Sequence, residues 1–117
     1  MTIPIQITFR GVDASPALDE HVRKHAAKLA TFSDRITHCH VAVEGPSAHH
    51  KHGGNYRVLV ELNVPGADLV VGGKPDTDVA HQDVYAAVDD AFHNAARVLQ
   101  QHVRRQRGDI KLHPAQR

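Results

Sequence analysis

This chain of 117 residues contains a single cysteine, Cys39. One thiol cannot form an internal disulfide and cannot build a thiolate metal site alone. Cys39 lies in an apolar segment, and a free cysteine in such a position is usually a small buried side chain. We therefore expect Cys39 to belong to the hydrophobic core.

Aromatic residues are scarce, at 4% of the chain, and tryptophan is absent. A protein that stacks single-stranded bases needs several exposed aromatic rings. The five aromatic residues all fall in apolar patterns, and we expect them to be core residues: Phe9, Phe32, Tyr56, Tyr85 and Phe92. The sequence therefore predicts no platform for stacking bases.

Long apolar runs and a signal peptide are also missing, which favours a soluble cytoplasmic protein without a membrane partner.

The net charge is only +1 with the histidines neutral, which argues against a strong general binder of nucleic acids. Eleven histidines are many for this length, and their charge changes near pH 6 to 7.

Motifs of the common enzyme classes are not found. The chain has no phosphate-binding loop, no nucleophile elbow, no dinucleotide fingerprint and no HExxH sequence. Asp78 and Asp83 are better explained as capping residues before a helix than as catalytic acids. We expect no catalytic residue, no cofactor and no small-molecule substrate.

Hydrophobic periodicity predicts four strands and two helices in the order β-α-β-β-β-α. The predicted strands cover residues 3–9, 36–44, 55–64 and 69–74. The predicted helices cover residues 16–30 and 82–107. Gly108 is expected to end the second helix, which leaves one domain over residues 1–107 and a flexible tail over residues 108–117.

The element order also predicts the topology. A helix between the first two strands makes them parallel, and the two short connections that follow make antiparallel pairs. Pro65-Gly66 is typical of a tight turn. Apolar residues on one sheet face place both helices there, so the predicted fold is α+β, with a four-stranded mixed sheet covered on one side.

The second predicted helix opens with the acids Asp83, Asp89 and Asp90, and bases dominate its last turns. Acids at the start and bases at the end both complement the helix dipole. The bases nonetheless exceed what a dipole needs, and Lys24 and Lys28 lie one turn apart on the first helix. Basic side chains spread over two helices suit a phosphate backbone, although a solvated helix exterior has the same pattern. The candidate contacts on the helices are Arg23, Lys24, Lys28, Arg97, Arg104 and Arg105.

The loop between the second and third strands contains His49, His50 and His52. Imidazoles there fit three interpretations: ligands of Zn²⁺, Ni²⁺ or Cu²⁺, phosphate contacts when protonated, or a solvated loop. A metal site normally needs four ligands in fixed geometry, and this loop has glycines and no carboxylate or thiolate. We therefore predict no metal site, and keep a small metal-binding protein as an alternative.

Several segments together resemble one family. The segment DVYAAVD, residues 83–89, resembles the D-x-Y-x-A-[IV]-[DN] opening of the last helix in the ribosome hibernation promoting factor family, also called ribosome-associated inhibitors or sigma factor modulation proteins. Residues 15–17 and 27–29 resemble the start and end of its first helix. Gly73-Lys74 resembles a Gly-Lys before the last helix, and residues 97–99 match an Arg-x-Leu within it. The resemblance runs from Ile3 to about Arg105.

The resemblance implies a fold similar to a double-stranded RNA-binding domain. It implies binding to the small ribosomal subunit and its ribosomal RNA, in the channel for messenger and transfer RNA, which would block translation under stress. Lysine and arginine contacts to RNA phosphates would hold the protein there, reading shape rather than sequence. Lys74 joins the candidate RNA contacts on this basis. An RNA- or DNA-binding module with another partner is the alternative.

Two further expectations concern the form of the protein. The chain resembles a short form without the carboxyl-terminal dimerisation domain of long members, so we expect a monomer in solution. The histidine loop and residues 108–113 are similar to a branch whose longer members carry a cold-shock domain.

Overall fold

Six elements follow one another in the predicted order β-α-β-β-β-α. The computed structural model describes residues 3–33, 35–45, 56–72 and 83–116, with side chains described as far as Gln106. The elements are β1 (Ile5–Arg10), α1 (Pro16–Leu29), β2 (His38–Glu44), β3 (Arg57–Val64), β4 (Ala67–Gly72) and α2 (Val84–Gln116).

The strands form one mixed sheet in the order β1-β2-β3-β4. β1 and β2 are parallel, with Ile5 opposite Cys39. β2–β3 and β3–β4 are antiparallel pairs. The predicted α+β fold is therefore confirmed. The Pro65-Gly66 turn closes the last hairpin, and Gly66 has φ +84°, a left-handed conformation that glycine adopts without steric cost.

Both helices begin at residues that satisfy free backbone donors. The Leu18 N–H donates to Ser15 Oγ at 3.1 Å, and Pro16 occupies the first helical turn, where its missing N–H costs nothing. The Tyr85 N–H donates to Asp83 Oδ1 at 3.0 Å. The predicted capping by Asp83 is thus confirmed, while Asp78 lies outside the described residues.

α2 continues to Gln116, beyond the predicted end at Gly108. Glycine within a helix costs only about 1 kcal/mol relative to alanine, which does not by itself terminate the helix. The division into a domain over residues 1–107 and a flexible tail stays a prediction.

The core lies between the sheet and the two helices. β2 and β3 alternate buried and half-buried residues along their whole lengths. Strict alternation turns one face of each strand towards the helices and the other towards solvent. The side chains without exposed surface are Val22, Ala26, Cys39, Val41, Val43, Val60, Leu62, Val88, Ala95 and Leu99.

Cys39 is fully buried, as predicted, and burial raises the pKa of its thiol from 9.0 to about 11. Because the thiolate is the reactive form, we expect Cys39 to resist an aromatic disulfide reagent at neutral pH while the chain is folded. Because its pKa is raised in the folded state, the contribution of Cys39 to stability is constant below about pH 9 and falls as pH rises from 9 towards 11.

The absorbance of the aromatic thiolate that the reagent releases measures the rate at which Cys39 reacts. In guanidinium the single thiol of the chain should react at once, whereas in buffer it should react at the rate of unfolding. Rapid stoichiometric labelling of the folded chain would contradict the buried position.

Two aromatic residues depart from the predicted core. Phe32 is 41% exposed, just after α1, and Tyr85 is 36% exposed at the start of α2. Both fit a helical apolar pattern, but they lie where the helices begin or end and the sheet no longer covers them.

Among the described residues, no helix combines the length and the apolar character that crossing a bilayer requires.

Candidate nucleic-acid interface

α1 and α2 lie side by side on the sheet and run in the same direction. The His21 ring meets Tyr85 edge-on at 5.0 Å, and the His25 ring stacks on Phe92 at 5.3 Å. Moving one turn along α1 therefore also moves along α2 towards its carboxyl end. The helices form one layer whose outer surface combines side chains of both.

Lys24 and Lys28 lie on the outer surface of α1 and are exposed. Lys24 and Lys28 come three residues after His21 and His25, the histidines that face α2. Three residues correspond to a rotation of about 300° around the helix, which turns both lysines outward beside the groove between α1 and α2. His93 and Arg97 follow Asp89 on α2 by one and two turns, and both are exposed. The layer thus carries cations on both sides of the groove.

Arg104 and Arg105 are exposed further along α2, beyond the end of α1. Arg104 follows Arg97 by seven residues, within about 20° of the same direction around the helix, whereas Arg105 is rotated by a further 100°. Arg97 and Arg104 therefore lie on one exposed face of α2. Arg105 lies on a neighbouring flank.

Arg23 lies on the other flank of α1, and its predicted contact with RNA stays a prediction. It is two residues from both His21 and His25, about 200° around α1, so it lies on the side away from α2. Its Nε donates to Asp19 Oδ1 at 2.9 Å, one turn earlier on the same helix. Arg23 is thus an exposed cation that is balanced by a neighbouring carboxylate.

The open face of the sheet carries charges of both signs in contact. Arg10 and Arg57 lie on either side of Glu44, with N–O distances of 3.4 and 3.8 Å. His40 lies between Thr8 Oγ1, at 3.0 Å, and Glu61 Oε1, at 3.7 Å. The register brings these residues together, because Glu44 is opposite Arg10 on one side and Arg57 on the other.

The helical layer differs from the sheet in this respect. Within residues 3–33, 35–45, 56–72 and 83–106, no ion pair joins an acid to Lys24, Lys28, Arg97, Arg104 or Arg105. Arg97 contacts only a neutral amide oxygen, that of Asn94 at 3.4 Å. Among the described Lys and Arg side chains, those without an ion-paired acid therefore lie on the two helices, apart from Arg35.

Four of the predicted contact residues lie outside the described residues: Lys74, His49, His50 and His52. Their contribution to this surface, including the pH-dependent phosphate contacts proposed for the histidines, stays a prediction.

A histidine–aspartate cluster lies in the groove between the helices. His21 Nε2 and His25 Nε2 lie 2.7 and 2.8 Å from the same atom, Asp89 Oδ1. Partial desolvation acts to raise the pKa of Asp89, but hydrogen bonds and the nearby charges of the two histidines outweigh it and lower that pKa. Asp89 is therefore an anion at neutral pH.

This cluster corrects one interpretation of the sequence. The acids at the start of α2 were assigned to the helix dipole, yet Asp89 lies beyond the first turn and serves the contact with α1. The partners are 64 and 68 residues away in the sequence. The spacing of four residues places His21 and His25 on one side of α1, which the sequence shows. No neighbouring residue in the sequence identifies Asp89 as their partner.

An open cleft of about 660 Å³ lies where the starts of α1 and α2 meet the end of β1. Among the residues that the structure describes, its lining includes Asp13, Ser15, Tyr56 and Tyr85, and no histidine or cysteine. Ser15 Oγ is already engaged as the cap of α1.

Fold and surface define a small α+β protein whose distinctive feature is a layer of two parallel helices bearing cations on its exterior. The chain belongs to the family described as Sigma 54 modulation protein / S30EA ribosomal protein, which matches residues 5–107. The family resemblance inferred from residues 83–89 and the accompanying segments is thereby confirmed.

Two curated relatives carry names of the same kind. The chain is 30% identical over 86 residues to a ribosome hibernation promotion factor of Deinococcus radiodurans, covering 74% of this chain and 41% of that protein. It is 28% identical over 99 residues to a ribosome hibernation promoting factor of Klebsiella oxytoca, covering 84% of this chain and 90% of that protein. The chain thus spans less than half of one relative and most of the other.

Solved structures show the same fold. The N-terminal domain of Thermus thermophilus Protein Y superposes with a TM-score of 0.66 at 20% identity, covering 87% of this chain and 99% of that one. A ribosomal subunit interface protein from Coxiella burnetii gives a TM-score of 0.65 at 24% identity, covering 86% and 97%.

Proposed function

We propose that this protein is a ribosome-associated hibernation factor of the cytoplasm. It binds the small ribosomal subunit through contacts between the outer helical surface and ribosomal RNA phosphates, and sterically blocks the channel for messenger and transfer RNA under stress. The activity is occlusion by binding, and it needs no catalytic residue and no cofactor.

One observation carries the proposal: the parallel packing of α1 and α2 gathers cations from both helices on one exterior surface. Lys24 and Lys28 contribute from α1, and Arg97 and Arg104 from α2, all exposed. Family membership and the names of the two curated relatives point to the ribosome as the carrier of the phosphates. Lys74 and Arg105 would extend the proposed contact, and Arg23 would add to it from the other flank of α1.

Binding by dispersed cations fits structured RNA. Phosphate contacts from lysine and arginine fix the position of a protein without reading bases, and structured RNA is recognised largely by its shape. The small net charge of +1 suits a surface that discriminates one RNA scaffold from nucleic acid in general. A monomer can occlude a channel in this way, since the mechanism requires no second copy.

Co-sedimentation tests the proposal. Purified small ribosomal subunits should carry the protein into the pellet at low salt, with binding weakening steadily as salt rises because counterions compete for phosphates. The same preparation should inhibit a cell-free translation reaction in proportion to its binding.

Isolated large subunits and a free RNA duplex are the controls. Protein that stays in the supernatant with small subunits at low salt, while binding the duplex, would favour an RNA-binding module with another partner. Binding to small subunits without inhibition of translation would contradict the proposed occlusion of the channel.

A further inference from the structure

We propose that His21, His25 and Asp89 form a binding site for a divalent transition-metal ion of the Zn²⁺ type, which joins α1 to α2. The three side chains offer two imidazole nitrogens and one carboxylate oxygen, all within 4.8 Å of one another. The site uses none of the loop histidines His49, His50 and His52, and binding of the ion does not require the proposed ribosome function.

The donor arrangement follows from helix geometry. His21 and His25 are four residues apart, so both rings project from one side of α1, and this spacing on a helix is a known arrangement of two zinc-binding histidines. Asp89 faces them from the next helix. Two imidazoles and a carboxylate are a donor set that Zn²⁺ accepts, and a water molecule would complete four-coordination.

The distances fit a small adjustment upon binding. His21 Nε2 lies 2.7 Å from Asp89 Oδ1, and His25 Nε2 lies 2.8 Å from the same atom. Bond lengths of about 2.0 to 2.1 Å in a tetrahedral site place ligand atoms about 3.3 Å apart. Binding the ion would lengthen each nitrogen–oxygen contact by about half an ångström. It would also bring the two imidazole nitrogens, which lie within 4.8 Å of each other, to a similar separation of about 3.3 Å.

Packing holds the two rings in place before any ion arrives. The His25 ring stacks on Phe92, which is 3% exposed and belongs to the core. The His21 ring lies edge-on between His25, at 4.9 Å, and Tyr85, at 5.0 Å. Side chains that are already ordered lose little rotamer entropy on binding, which favours affinity.

Access from solvent is open at the carboxylate. The side chain of Asp89 is 56% exposed, while those of His21 and His25 are 28% and 25% exposed. An ion can therefore reach the groove from outside and bind partly desolvated nitrogens. The position between two helices means that the bound ion would resist their separation.

Thermal unfolding of the full chain with and without ZnCl₂ tests the site. Zinc at 100 times its Kd should raise the Tm of the wild-type protein by about 10 °C, because an ion that binds only the folded state stabilises it. The shift should disappear in His21→Ala and His25→Ala. Asp89→Asn should weaken zinc affinity by at least about 10-fold, since the amide oxygen is a poorer ligand.

Two control variants distinguish this site from other histidines. His93→Ala removes an exposed histidine from the same helix as Asp89, and should retain the full shift. A variant with His49, His50 and His52 all changed to Ala should retain it as well. Loss of the shift in that loop variant, or its persistence in His21→Ala, would overturn the proposal.

A measurement on the unaltered protein guards against variants that do not fold. Histidine ring resonances followed by NMR during a zinc titration should move or broaden first for His21 and His25. With Co²⁺ in place of Zn²⁺, the visible absorption should be that of a four- or five-coordinate ion. An absence of any zinc effect on the wild-type Tm and ring resonances would also overturn the proposal.

Discussion

Changing Arg97 and Arg104 together to alanine is expected to weaken binding to small ribosomal subunits by about 30-fold. The figure assumes about 1 kcal/mol for each lost phosphate contact and 1.4 kcal/mol for each factor of ten. Because each neutralised phosphate releases counterions, the slope of log K against log salt should become less steep, by up to about two. Both side chains are exposed, so the fold should not change.

Subunit binding measured over a range of salt concentrations gives both quantities. Changing the same residues to lysine keeps the charges and should leave the slope close to that of the wild type. Changing Arg10 and Arg57 to alanine removes the same charge from the open sheet face, and should have little effect. An unchanged slope in the Arg97 and Arg104 alanine variant would place the RNA contact elsewhere.

Leu99→Ala is expected to lower the free energy of unfolding by about 2 to 5 kcal/mol. Leu99 has no exposed surface and lies in the half of α2 that packs on the sheet beyond the end of α1. Removing its side chain leaves a cavity that the neighbouring strands can fill only in part. The total free energy of unfolding of a domain of this size is about 5 to 15 kcal/mol, so the expected loss is a large fraction of it.

Urea unfolding followed by circular dichroism measures this loss, since the chain has no tryptophan to report by fluorescence. Gln100→Ala, at the exposed neighbouring position, is the matched control and should change stability by no more than about 0.5 kcal/mol. A loss below about 1 kcal/mol for Leu99→Ala would show that this half of α2 does not complete the core.

The two helices must stay packed side by side for either helical surface to function. The proposed RNA contact and the proposed metal site use different side chains of the same layer, with the histidine–aspartate cluster in the groove and the cations outside it. A metal ion in the groove would therefore fix the separation of Lys24 from Arg97 without touching either residue.

Much of the fold is determined by short-range patterns. The alternation along β2 and β3, the Ser15-Pro16 start of α1 and the Pro65-Gly66 turn each depend on a few neighbouring residues, and the structure confirms all of them. The family could also be inferred, because the segments that identify it are short and occur in fixed order. Element ends were less accurate, as the extension of α2 past Gly108 shows.

The pairing of side chains across the fold was decided only by tertiary structure. No local pattern connects Asp89 with His21 and His25. Nor does any local pattern show that Glu44 lies between Arg10 and Arg57. Periodicity fixes the direction of a side chain around its own helix. Which residues of two helices meet depends on how both pack on the twisted sheet, a sum of contacts distant in sequence.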